Sequence, residues 1–132
     1  MGLLARADAA RLAALFPDLP EHALLRGPET GAVMVRGRQG GTGAPFNLGE
    51  MSVTRCSVQL ASGAVGHAHV QGRDKAHARR AAVIDALLQG DDSLRTTVLA
   101  PLAEAEAARR QARAAKAGAT KVEFFTMVRG ED

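Results

Sequence analysis

Tryptophan and tyrosine are absent from this chain, and phenylalanine occurs only as Phe16, Phe46, Phe124 and Phe125. That scarcity removes the aromatic platforms on which single-stranded nucleic acid stacks. The single cysteine, Cys56, excludes an internal disulfide and agrees with a reducing, cytoplasmic setting. Apolar runs stop after a few residues, far short of the roughly 20 needed to cross a bilayer. At the N-terminus, Asp8 arrives too soon for the apolar region of an export signal. Arg6 stands where a myristoylation pattern after Gly2 needs Ser or Thr. Neither a membrane nor a secretory route is therefore expected.

What is present suits one domain spanning residues 1–132: 46% hydrophobic residues with a mean hydropathy of -0.07. The formal charge is +3 and the pI about 9.7. That balance admits a small basic nucleic-acid-binding module as the alternative reading. It equally suits a surface for an acidic protein partner or a phosphorylated substrate.

Periodicity predicts a helix over Arg6 to Phe16, ended by Pro17 and Pro20. Ala23 to Arg26, a turn through Gly27-Pro28-Glu29-Thr30-Gly31, and a strand to Gln39 read as a hairpin. From Met51 to Leu60 the alternation changes phase, from Met51 and Val53 to Cys56, Val58 and Leu60, and a β-bulge near Thr54-Arg55 would absorb the slip. Ala61-Ser62-Gly63 is a tight turn before a strand from Ala64 to Gln71. Asp74 caps a helix from Lys75 to Gln89 that Gly90 stops. Asp92 or Ser93 caps a further stretch, broken or restarted at Pro101. Glu104 to Lys116 is helical with a Glu106–Arg110 support pair, Gly118 stops it, and Lys121 to Arg129 is a last strand. The expected fold is α+β: an antiparallel sheet of four or five strands with helices packed on it.

Three places carry candidate chemistry. Arg38-Gln39-Gly40-Gly41-Thr42-Gly43 could let backbone N–H groups approach an anion, or could simply be a hairpin loop needing positive φ. It is not a Walker loop, because no Gly-Lys-Ser/Thr follows. Gln71-Gly72-Arg73-Asp74-Lys75 opens a helix, but Asp74 takes up one N–H and repels anions, so Arg73 and Lys75 would have to reach outward. His77 falls on the apolar stripe, as a partly buried structural histidine or a general acid or base. With Arg73 it could serve an independent phosphate-ester enzyme. His67 and His69 share a strand face roughly 6.5–7 Å apart and could join Cys56 at a metal, although no fourth ligand completes a structural zinc site. In Phe124-Phe125-Thr126-Met127-Val128-Arg129-Gly130, the adjacent phenylalanines face opposite sides of a strand. Phe125, Met127 and Arg129 then share a face that a helix of this domain or a partner must cover.

Taken in order, Arg38-x-Gly-Gly-Thr-Gly43, Thr54-Arg55, Val70-Gln-Gly-Arg-Asp-Lys75-x-His77-Ala78, Ile84-Asp85-Ala86-Leu87 and Phe124-Phe125-Thr-Met-Val-Arg-Gly130 resemble PhnG. PhnG is a subunit of the bacterial phosphonate carbon–phosphorus lyase system. His67 and His69 lie outside these blocks, which argues further against a metal. The resemblance implies assembly with the PhnH, PhnI and PhnJ proteins, and functional cooperation with PhnL. It implies support for a transferase that makes α-D-ribose 1-methylphosphonate 5-triphosphate from ATP and methylphosphonate. The isolated chain is then expected to be inactive and to bind no cofactor, metal, nucleic acid or membrane by itself. Arg38, Gly40, Gly41, Gly43, Arg55, Arg73, Lys75 and His77 are the candidates for supporting an anion or the complex. Phe124, Phe125, Met127 and Arg129 are the candidate interface.

Overall fold

A computed structural model describes residues 1–122. The helices α1 (Gly2–Arg6) and α2 (Ala9–Leu15) precede strands β1 (His22–Arg38), β2 (Pro45–Leu60) and β3 (Val65–Gln71), then helices α3 (Lys75–Leu87) and α4 (Ala100–Ala119). A π-type turn, Arg95–Leu99, leads into α4, and Pro101 sits in its first turn. The strands form one antiparallel sheet in the order β1-β2-β3.

The α+β class with an antiparallel sheet is as expected; the strand count is three among the described residues, not four or five. The final strand from Lys121 to Arg129 lies almost wholly outside the described residues. Nor is the first helix continuous: Asp8 interrupts it and caps α2, its carboxylate accepting from the Arg11 N–H at 2.9 Å. Gly118 does not stop α4, which runs through it to Ala119.

Two expectations about the sheet are corrected. β1 does not turn back at Gly27-Pro28; it runs straight through, with register shifts on either side of Arg26. Pro28 is tolerated because it falls in the register shift between Arg26 and Glu29, where it has no ladder partner for its missing N–H to fail. The phase change in β2 is not a bulge at Thr54-Arg55, since pairing to both neighbours is regular there. Instead β2 is apolar on both faces. Cys56, Val58 and Leu60 point toward the helices, while Met51 and Val53 point to the opposite face, and Val53 is buried yet stands outside the core cluster.

The core lies between the sheet and α3. Ala78, Ala81, Ala82, Val83 and Ile84 are fully buried against Val58 and Val70. Small side chains on α3 let the helix lie close to the sheet, and Gly66 of β3 completes that fit. A Cβ there would run into the Ala82 carbonyl oxygen and stand 2.6 Å from the Ala86 nitrogen. Leu4 brings α1 against both β3 and α3, Leu12 brings α2 against α3, and Val98 and Leu102 close the end.

Candidate partner interface

The distinctive Gln71-to-His77 junction is a device of the fold. Gly72 takes φ +89, a left-handed conformation that favours glycine. Its N–H donates to the Ser52 carbonyl at 2.8 Å, and its carbonyl accepts from the buried Thr54 hydroxyl at 2.8 Å. Asp74 caps α3 by accepting the His77 N–H at 2.9 Å. The His77 ring is buried and its Nε2 pairs with the Leu4 carbonyl at 2.8 Å, tying α1 to α3. Asp74→Ala is therefore expected to lower stability by about 0.5–2 kcal/mol, read by urea denaturation. An unchanged midpoint would show that the cap contributes nothing.

Arg73 and Lys75 remain exposed beside this junction; Arg73 Nε approaches Ser52 Oγ at 3.4 Å. Lys75 lines a shallow concavity with Leu19, Pro28 and Arg79. Arg55 stands on the open face of the sheet, 3.5 Å from Glu29, with both side chains more than half exposed. Such a pair contributes little to stability. Cys56 points into the core and burial pushes its thiol up, whereas His67 and His69 point the other way, so the three cannot share a metal.

The glycine-rich segment is a hairpin tip. Gly40 and Gly41 take φ +58 and +83. The Gly43 N–H donates to the Gln39 carbonyl at 2.7 Å, and Arg38 donates to the Gly43 carbonyl at 3.2 Å. This tip lies far from the junction: the seven steps from Ser52 to Pro45 span about 23 Å of extended chain. Arg38, Gly40, Gly41 and Gly43 therefore do not gather with Arg73, Lys75 and His77 into one site. Phe124, Phe125, Met127 and Arg129 lie outside the described residues.

Beyond that junction the hairpin has no third strand beside it among the described residues. Among the described residues β3 pairs with β2 only from Val53 to Gln59, so beyond the Gly72 hydrogen bond to Ser52 the segment 45–51 pairs with β1 alone. The resulting arm is rich in exposed apolar side chains: Met34 is 50% exposed, Phe46 42% and Leu48 64%. Leu48 is the extra residue of a register shift opposite Val35 and Arg36, and it folds with Phe46 over Gly37, where a Cβ would collide with Leu48. Val33, Val35, Met51 and Val53 continue this apolar strip onto the open sheet face. A concavity of about 420 Å³ there is lined by Glu29, Gly31, Val33, Val53, Arg55 and His69. A two-stranded ribbon without a covering layer is marginal in water. An exposed apolar strip of this kind is a candidate surface for another protein.

A second projection is α4, exposed on all sides from Ala107 to Ala119. Sequence reasoning missed the arm because Phe46 and Leu48 look like ordinary strand residues; the signal was the length of chain between Gly31 and Met51 with no element to cover it.

Comparison with known proteins places this architecture. The sequence model of the family described as phosphonate metabolism protein PhnG matches residues 1–130. The chain belongs to the PhnG family. It is 52% identical over 139 aligned residues to the α-D-ribose 1-methylphosphonate 5-triphosphate synthase subunit PhnG of Rhizobium meliloti (strain 1021), covering 100% of this chain and 88% of that protein.

Proposed function

We propose that this PhnG-family chain is a single-domain, cytoplasmic subunit of α-D-ribose 1-methylphosphonate 5-triphosphate synthase, in phosphonate breakdown. Its partners are the PhnH, PhnI and PhnJ proteins, with PhnL acting alongside. In that reaction adenine is displaced from ATP and methylphosphonate is joined to the ribose. The chain supports assembly and binds no cofactor of its own. The observation that carries this reading is the arm of β1 and β2, whose apolar strip has no covering layer among the described residues. The relative's name, a synthase subunit, supplies the kind of complex in which such an arm would be covered. A nucleic-acid surface would present cations where this arm presents Phe46, Leu48, Val33 and Val35.

The test is reconstitution. Co-expressed with the PhnH, PhnI and PhnJ proteins, the chain is expected to co-migrate on size-exclusion chromatography at moderate salt. With PhnL, ATP and methylphosphonate, adenine release is expected to require the chain, and the chain alone to release none. Full synthase activity without the chain, or adenine release by the isolated chain, would overturn the assignment.

A further inference from the structure

All three arginines of α4, Arg109, Arg110 and Arg113, gather with Arg6 around one concavity of about 240 Å³, bounded by α4, the end of α1 and Gln71 at the end of β3. Leu102, Glu106, Arg109 and Arg113 succeed one another at spacings of three or four, so they form one seam along the helix. The seam is apolar where it meets the core at Leu102 and changes to guanidinium where it passes the rim.

One carboxylate faces these cations. Glu106 Oε1 accepts from Arg6 Nε at 2.8 Å and lies 3.6 Å from Arg110. The hydrogen bond from Arg6 holds the Glu106 carboxyl below its ordinary range, helped by the charges of Arg6, Arg110 and Arg109 and opposed by partial desolvation. Four guanidiniums against one carboxylate leave three positive charges around the concavity. Among the described residues, neither Arg109 nor Arg113 forms a close ion pair, and Arg109 acts on Glu106 only at longer range. Like charges at i and i+4 repel on a bare helix, and a bound polyanion relieves that repulsion.

We propose that this concavity binds a polyphosphate group, of the kind carried by a nucleoside or sugar triphosphate. Arg109 and Arg113 are separated by a rise of about 6 Å along α4, so their forks reach successive phosphoryl groups rather than converging on one. Each planar guanidinium can take two phosphoryl oxygens in parallel hydrogen bonds. Gln71 adds an amide donor at the β3 edge. The proposal goes beyond the subunit assignment, because it rests on these residues alone.

Calorimetric titration of the purified full chain with inorganic tripolyphosphate, orthophosphate and sulfate at matched ionic strength tests it. Tripolyphosphate is expected to bind saturably and at least about tenfold more tightly than orthophosphate. The double variant Arg109→Gln with Arg113→Gln is expected to lose about tenfold or more of that affinity at an unchanged melting temperature, since both side chains are exposed. Arg26→Gln, an exposed arginine of β1 outside this concavity, is expected to bind as the wild type does. Equal binding of sulfate and tripolyphosphate, no saturable binding, or undiminished affinity in the double variant would overturn the site. So would a polyglutamate peptide that binds as tightly as tripolyphosphate, which would make the concavity a protein-docking surface. Co-purification with the synthase proteins, followed in the wild type and the same variants, separates the two readings: a wild-type chain that assembles but binds no polyphosphate removes the site and leaves the subunit assignment standing.

Discussion

Phe46→Asp combined with Leu48→Asp is expected to leave the chain folded and to remove it from the complex. Both side chains already meet water in the isolated chain, at 42% and 64% exposure, and neither belongs to the core cluster. Their replacement therefore sacrifices little of the chain's own packing. In the complex the position reverses. Covering the remaining apolar surface of the pair should stabilise association by about 3 kcal/mol, and losing it weakens binding roughly a hundredfold. Carboxylates trapped beneath a partner add a desolvation cost. The measurement is melting temperature alone against co-purification with the PhnI protein. Normal co-purification of the double variant would show that the arm is not the contact surface.

Gly66→Ala is expected to be the most damaging single methyl in the molecule. Its Cβ would meet the Ala82 carbonyl and stand 2.6 Å from the Ala86 nitrogen and 2.8 Å from the Ala86 Cβ. The first two obstacles are helix backbone, which cannot rotate aside as a flexible side chain can. Relief requires α3 to lift from β3 along the line where Ala78, Ala82 and Ile84 are packed without exposure. Overpacking of this kind costs about 3 kcal/mol, at the upper end of what small-to-large core changes produce. Gly27→Ala is the control, because nothing lies within 4 Å of a Cβ placed there. Urea denaturation of the two variants should differ by nearly the whole effect. A Gly66→Ala midpoint matching that of Gly27→Ala would mean that this glycine does not set the helix–sheet distance.

The α+β class, the Asp74 cap, the turn at Gly63 and the alternation of β3 were all legible in the residues, because each depends on interactions within a few positions. Asp74 reaches the N–H three residues on. Gly63 sits at φ +89 between strands that pair directly. In β3 the alternation of buried Gly66, Ala68 and Val70 with exposed His67, His69 and Gln71 expresses the period-two geometry of any half-covered strand. The block through Gly72 and Asp74, taken in order with the others and with Phe124 to Gly130 above all, also indicated the PhnG family, even though the structure gives Gly72 and Asp74 work in the fold.

Other features depended on what lies across the chain in space. Gly27-Pro28 resembles a turn, yet β1 passes through it, because whether a missing N–H matters depends on whether the ladder pairs at that position. Met51 and Val53 looked like a register slip; they are apolar because the open face is itself apolar, and no local rule says which face the helices take. His77 is a structural residue only because Leu4 arrives 73 positions away, and Arg6 meets Glu106 across 100 positions. Periodicity and capping act through neighbours along the chain, so the sequence determined the elements and their local ends. Which face is covered, which arm is left bare and which arginines converge follow from contacts between distant segments, and those only the tertiary structure decided.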